Sequence, residues 1–148
     1  MSAKEYLQQL KRLDTVINQK IEELKGLRST IYGVSSIDYS KERVQTSQSV
    51  NAPFVKTADR IADLETEINQ EIDSFVDERH KIINQIQGLQ NINHINLLFK
   101  RYVEFKSLEV IAIEMNFTYQ YTRRLHGTAL QDFENTYKEA TFFILKAT

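Results

Sequence analysis

The chain has 148 residues, with 19 basic and 20 acidic side chains, four glycines, one proline and no cysteine. This length suits one domain with at most an extension, and the shortage of turn-forming residues favours an all-α fold. The lack of cysteine excludes disulfides, cysteine zinc sites and thiol catalysis, and a net charge of −1 argues against a protein that coats nucleic acid by charge alone.

Apolar residues recur every three or four positions near the start of the chain. The positions are Leu7, Leu10, Leu13, Ile17, Ile21, Leu24, Leu27 and Ile31. This spacing is typical of one face of an α-helix, so it predicts a first helix that ends near Ile31. The residues at 33–54 are mostly polar and predict a long linker.

A second stripe of apolar residues begins after Pro53. Its main members are Val55, Ala58, Ile61, Leu64, Ile68, Ile72, Phe75, Ile82, Ile86 and Leu89. They predict a second helix that reaches about Gln90. Each long helix has one narrow apolar face and a wide charged face, so neither helix is stable without a partner. We therefore expect residues 1–90 to form an antiparallel helical hairpin or coiled coil, and the chain to form a homodimer.

Shorter helical segments are expected in the remaining residues, 93–148. Ser107 and Thr118 have side chains that cap helix N-termini, and Asn116 tolerates the left-handed conformation found where a helix ends. The residues expected to face inward around this turn are Ile111, Ala112, Met115, Phe117, Thr118, Thr122, Leu125 and Ala129. This pattern predicts a helix-turn-helix followed by a helical extension.

Four runs of sequence in this region carry a resemblance to a known family. They are LLFKRY at 97–102, SLEVIA at 107–112, MNFT at 115–118 and RRLHGTAL at 123–130. Together they resemble region 4 of the sigma-70 family, the module that reads the −35 promoter element. With ERVQTS at 42–47 and the long N-terminal helices, the whole chain resembles small proteins encoded by phages and prophages of low-GC Gram-positive bacteria.

The resemblance implies a phage-type transcription regulator that binds promoter DNA in the cytoplasm of a bacterial host and acts with RNA polymerase. Region 4 reads bases with residues near the start of its second helix, which correspond here to Tyr119, Gln120, Arg123 and Arg124. Tyr119, Gln120 and Tyr121 replace the family's usual charged residues. The resemblance therefore does not give the target sequence.

Helix geometry gives a second interpretation of which side chains contact DNA. If Thr122 faces inward, then Gln120, Arg123 and Arg124 lie on the outer face. Arginine can bind guanine and glutamine can bind adenine in the major groove, whereas hydroxyl and ammonium groups more often bind phosphates. The candidate DNA-binding residues are Lys106, Thr118, Tyr119, Gln120, Tyr121, Arg123 and Arg124. We expect double-stranded DNA to meet residues 93–128, which carry five basic and three acidic side chains.

Enzymes and metalloproteins are disfavoured by the motifs that the sequence lacks. The three histidines are 14 and 32 residues apart, which does not fit a metal site, and neither a glycine-rich phosphate loop nor a serine elbow is present. We therefore expect no cofactor, no metal and no enzyme activity. Two alternatives to a regulator stay open: a structural protein-interaction module, and a DNA-packaging recognition subunit that forms rings.

Contact with a membrane is not expected either. The longest apolar runs, at 110–113 and 142–145, have four residues, whereas a membrane-spanning helix needs about 20. The first residues pass directly into an amphipathic pattern without the apolar stretch of an export signal. We therefore expect a cytoplasmic protein.

Overall fold

The structure, a computed structural model, describes residues 1–34 and 51–146. These residues form α-helices and one π-helix, and no strand occurs among them. The elements are α1 (Ala3–Val34), α2 (Asn51–Gln87), α3 (Ile92–Leu98), the π-helix (Phe99–Val103), α4 (Leu108–Met115) and α5 (Tyr119–Lys146). The predicted all-α class is confirmed. Within the described ranges, no helix combines length with enough apolar character to cross a bilayer.

Helix α1 extends further than its apolar stripe predicts, whereas α2 begins earlier than predicted and ends at Gln87 instead of near Gln90. Helix α1 continues to Val34, and α2 begins at Asn51, so that Pro53 lies in its first turn, where proline is tolerated. Of the expected linker at 33–54, residues 35–50 lie outside the described residues. Helix α5 is continuous to Lys146, so the helical extension expected after the helix-turn-helix belongs to the same helix as the second helix of that motif.

Contacts between residues divide the chain into two units. Unit one consists of Met1–Asp14 and Phe75–Thr148, and unit two consists of Thr15–Ser74. These units differ from the expected ranges, 1–90 and 93–148. The reason is that the first turns of α1 pack with the C-terminal helices in one core.

The core of unit one contains residues from the start of α1, the end of α2 and every later element. Its fully buried members include Leu7, Leu10, Ile82, Ile86, Leu97, Leu98, Ile111, Ala129 and Phe133. Burial of one large apolar side chain contributes about 1.5–3 kcal/mol. Packing between segments that are distant in sequence therefore holds the short C-terminal helices in position.

A π-helix that the sequence did not predict links α3 to the loop before α4. The Glu104 amide donates a hydrogen bond to the Phe99 carbonyl, five residues earlier, at 3.1 Å. The segment buries Tyr102 and Val103. The chain then passes through Phe105, whose φ of 57° lies in the left-handed region. This conformation is uncommon for a bulky residue.

Unit two contains parts of both long helices, which run in opposite directions there. Three apolar residues form its buried cluster, namely Leu24, Leu64 and Ile68. Around the cluster, Lys20 forms an ion pair with Glu71, and Arg28 forms one with Glu65. The later residue of α1 pairs with the earlier residue of α2, which establishes the antiparallel direction within this unit.

Candidate nucleic-acid interface

Helices α4 and α5 share a small core on either side of a short turn. The residues predicted to face inward that are buried are Ile111, Ala112, Thr122, Leu125 and Ala129. Met115 and Phe117 are half-buried and pack against the core of unit one. The predicted inward face is therefore confirmed at these positions. Thr118 is exposed, so the prediction that it faces inward is wrong.

The turn after α4 begins at Asn116. Its φ of 58° and ψ of 39° lie in the left-handed region, as predicted. The Asn116 amide donates to the Ile113 carbonyl at 3.2 Å, and the Phe117 amide donates to the Ala112 carbonyl at 2.9 Å. These two bonds satisfy carbonyls that the end of α4 would otherwise leave unpaired. Because asparagine enters this conformation more easily than most residues, the turn forms without a glycine.

Thr118 caps the N-terminus of α5. Its Oγ1 accepts a hydrogen bond from the Tyr121 amide at 3.2 Å, and its carbonyl accepts one from the Thr122 hydroxyl at 2.9 Å. An N-cap side chain bonds to the helix end rather than to the core, which explains why Thr118 is exposed. The second bond satisfies the hydroxyl of Thr122, so this polar residue can lie in an apolar core.

Gln120, Arg123 and Arg124 are exposed near the start of α5, and we refer to them as the reading face. Their side chains line one open depression in the surface. The two guanidinium groups supply N–H donors in a planar fork, and the amide supplies both a donor and an acceptor. These are the groups that form paired hydrogen bonds with base edges in the major groove.

Two exposed tyrosines flank the reading face. The guanidinium carbon of Arg123 lies 5.8 Å from the centre of the Tyr119 ring, within the range of a cation–π interaction. The ring of Tyr121 lies edge-on to that of Phe117, with 4.9 Å between the ring centres. The first contact restricts the position of Arg123, and the second attaches Tyr121 to the turn.

Lys106 belongs to a cluster of ion pairs. Its Nζ lies 2.6 Å from Glu104 and 2.8 Å from Glu114, and Glu114 also binds Lys100 at 3.0 Å. Hydrogen bonds to Glu104 and Glu114 raise the pKa of Lys106, and those from Lys106 and Lys100 lower the pKa of Glu114. A DNA phosphate would have to displace carboxylates before Lys106 could bind it.

The sequence analysis also missed an exposed apolar pair on α4. Val110 is 43% exposed and Ile113 is 77% exposed. They are three residues apart and therefore lie on the same side of the helix. The signal for them was available, because a helix with four consecutive apolar residues at 110–113 cannot bury all of them against one core.

Two histidines form hydrogen bonds between elements of unit one. His94 Nδ1 lies 2.7 Å from Asp132, and His126 Nε2 lies 2.7 Å from the hydroxyl of Tyr102. Burial, with smaller contributions from nearby cations, lowers the pKa of His126 to about 4, and burial raises the pKa of Tyr102 to about 12. Both side chains are therefore uncharged at neutral pH, and the tautomer of His126 determines which of them donates this hydrogen bond. In the part of the chain that the structure describes, no group of three acidic or histidine side chains could hold a metal ion.

Comparisons of this chain with protein-family models, with curated proteins and with solved structures found no match. Its function therefore has to be inferred from its own residues and contacts. Of the candidate DNA-binding residues, Gln120, Arg123 and Arg124 lie together with Tyr119 beside them, whereas Lys106 is engaged by carboxylates.

Proposed function

We propose that this chain is a sequence-specific DNA-binding transcription regulator of the phage type that its sequence resembles. The reading face carries the proposal, since its three polar side chains are exposed together near the start of α5. On the opposite side of the same helix, Thr122 and Leu125 are buried. A helix that is fixed on one side and polar on the other, after a short turn, can enter the major groove as a recognition helix.

Each side chain of the reading face matches the edge of a base. Arg123 and Arg124 can each donate two hydrogen bonds to the O6 and N7 atoms of guanine, and Gln120 can pair with the N6 and N7 atoms of adenine. One such pair contributes about 1–3 kcal/mol of discrimination against the wrong base. The hydroxyls of Tyr119 and Tyr121 are suited to phosphates, which fix the register of the helix without reading sequence.

The contact between Tyr119 and Arg123 supports specific rather than purely electrostatic binding. A cation–π interaction limits the rotamers of the arginine before DNA arrives. Less side-chain entropy is then lost when the guanidinium pairs with a base.

The low net charge of the chain indicates that the recognition helix of one chain is not enough to hold it on DNA. The net charge is −1, and both Lys100 and Lys106 form ion pairs with Glu114. Many proteins that bind DNA unaided make about 6–10 phosphate contacts. We therefore propose that the chain binds as a homodimer and contacts RNA polymerase at promoters, in the cytoplasm of a bacterial host. Simultaneous binding of two half-sites would raise the affinity of a protein whose single recognition helix binds DNA weakly.

Selection of bound duplexes from a randomised library tests the proposal. The full chain should enrich one sequence motif, and the double variant Arg123→Ala, Arg124→Ala should not. Lys138→Ala is the matched control, because this residue is exposed on the same helix but does not belong to the reading face. A wild-type chain that leaves the library unchanged would overturn the proposed function.

A protein-interaction module is the second candidate function, and the exposed pair of Val110 and Ile113 favours it. In that case α4 would bind another protein through these side chains, and the chain would show no salt-sensitive binding to DNA. The library selection separates the two functions. Light scattering of the full chain separates a dimer from a ring-forming packaging subunit.

A further inference from the structure

A cavity of about 250 Å³ lies in unit one, outside the reading face. It is lined by Gln8, Lys11, Arg101, Tyr102 and Phe105, which we call the cationic cavity. Two of these side chains carry a positive charge, and none of the described lining residues is acidic. The volume is just below the roughly 300–1,000 Å³ typical of sites for drug-sized ligands, so it suits a ligand at the small end of that range.

The backbone beside the cationic cavity is unusual in two ways. Arg101 and Tyr102 belong to the π-helix, and Phe105 has a positive φ of 57°. Single π-helical turns are rare and often occur at functional sites. A bulky residue in the left-handed region is strained, and such strain also tends to occur at ligand sites. Both features contribute residues to the same cavity.

The two cations are arranged to bind an anion. One N–H of Arg101 donates to the carbonyl oxygen of Lys106 at 2.9 Å, which fixes the guanidinium while its other donors remain for a ligand. Lys11 Nζ lies 4.7 Å above the centre of the Phe105 ring and 3.7 Å from Asp14. The Phe105 contact places the ammonium group at the cavity, and a phosphate can compete with the Asp14 carboxylate because an ion pair that water can reach is weak.

Of the two cations, Arg101 also acts on His126, the hydrogen-bond partner of the cavity residue Tyr102. Tyr102 lines the cavity and bonds to His126, whose pKa is lowered first by burial and then by Arg101 and Lys4. A positive charge on His126 is thus disfavoured, because Arg101 and Lys4 already carry positive charge nearby. An anion in the cavity would relieve this concentration of positive charge.

We propose that the cationic cavity binds a small phosphate monoester. Arg101 donates two hydrogen bonds to the phosphate, Lys11 provides a further charged donor, and the side-chain amide of Gln8 lies within the same cavity. The organic part of the monoester lies against the aromatic residues of the cavity. This inference does not depend on DNA binding, because it uses none of the residues of the reading face.

Equilibrium dialysis of the full chain against inorganic phosphate and AMP tests the proposal. Wild-type protein should retain AMP, and Lys11→Gln should weaken that binding about tenfold, because a charge-assisted hydrogen bond is lost. Arg101→Lys keeps the charge but loses the planar fork, so it should weaken binding by a similar factor. Lys138→Gln removes an exposed positive charge elsewhere in unit one and should change nothing.

Three results would overturn the proposal. The first is wild-type protein that retains neither AMP nor inorganic phosphate at millimolar concentrations. The second is an equal loss in Lys11→Gln and Lys138→Gln, which would indicate attraction by net charge alone. The third comes from a double-stranded oligonucleotide as a separate probe: if Lys11→Gln weakens binding of the duplex while AMP does not bind, the cavity serves a DNA phosphate instead of a small ligand. Far-UV circular dichroism of each variant confirms that it is folded.

Discussion

The hydroxyl of Tyr137 on α5 donates a hydrogen bond to the carbonyl oxygen of Gln85 at 2.6 Å. The acceptor lies in the last turn of α2, where carbonyls lack the regular partner of a continuing helix, and it also accepts a hydrogen bond from the Gly88 amide at 3.2 Å. The bond therefore completes the end of α2 and attaches α5 to it. Gly88 makes this approach possible, because a Cβ at that position would overlap the Tyr137 hydroxyl.

Replacement of Gly88 by alanine should destabilise unit one. The added methyl group displaces the Tyr137 hydroxyl, and overpacking of this kind costs about 1–3 kcal/mol of the free energy of unfolding. Urea denaturation followed by far-UV circular dichroism measures the change. Gly127→Ala is the matched control, since its added methyl group would meet no atom within 4 Å and alanine favours a helix by up to about 1 kcal/mol. Equal stability of the two variants would contradict the role given to Gly88.

Replacement of Arg123 by alanine should weaken binding to the selected motif more than binding to random DNA. An arginine that pairs with guanine contributes about 1–3 kcal/mol to the specific complex, and this contribution is absent from the non-specific one. Fluorescence anisotropy with two labelled duplexes at one salt concentration measures both losses. If the losses are equal, Arg123 contacts a phosphate and does not read a base.

Replacement of Glu114 by glutamine should strengthen DNA binding of every sequence. Lys100 then loses its carboxylate partner and Lys106 keeps only Glu104, so phosphates can bind both ammonium groups more easily. Each added phosphate contact should make the slope of log binding constant against log salt more negative by about 0.9. Glu109→Gln removes the same charge from the first turn of α4, but Glu109 has no ion pair among the described residues, so it should change the slope less. Identical slopes in both variants would show that Lys100 and Lys106 do not reach DNA.

Lowering the pH should destabilise the fold through His126. In the folded chain its pKa is about 4 instead of 6.5, so the imidazole stays neutral over a window in which the unfolded chain takes up a proton. The unfolded state binds more protons between these two values, and stability therefore falls as the pH decreases through them. His126→Gln should flatten part of this dependence in urea denaturation, whereas His80→Gln, at an exposed position, should leave it unchanged. A slope that survives in His126→Gln would assign the effect to other groups.

The helices and the turn between α4 and α5 could be predicted because their signals are local. Apolar spacing shows one face of a helix, and Asn116 is one of the few residues that adopts a left-handed turn readily. The same periodicity predicted that Thr122 is buried and that Arg123 is exposed. Thr118 was predicted correctly as a capping residue. It was also placed on the inward face, because periodicity alone does not separate a capping residue from the first inward position of a helix.

The rest of the site depends on contacts between distant residues, for which the sequence carries no local signal. Glu114 reaches Lys106 only because the loop after the π-helix folds back beside α4, and no propensity predicts a π-helix at 99–103. The cationic cavity likewise joins Lys11 to Arg101, which are 90 residues apart. Periodicity gives the face of each helix, but it does not give the partner of that face.

Unit one combines segments that are far apart in the sequence, so its core can be completed only late in synthesis. Tyr6 stacks on Phe133 with 6.1 Å between the ring centres, and Leu7 is buried in the same core. The ribosome adds Tyr6 and Leu7 long before it adds Phe133. The apolar side of α1 therefore lacks its α5 partner in the nascent chain until α5 has been synthesised. Closure of so long a loop makes this a late event. A translation product that stops before α5 therefore has neither a finished core nor a recognition helix, and under the proposed function it cannot compete with the complete protein for its DNA target.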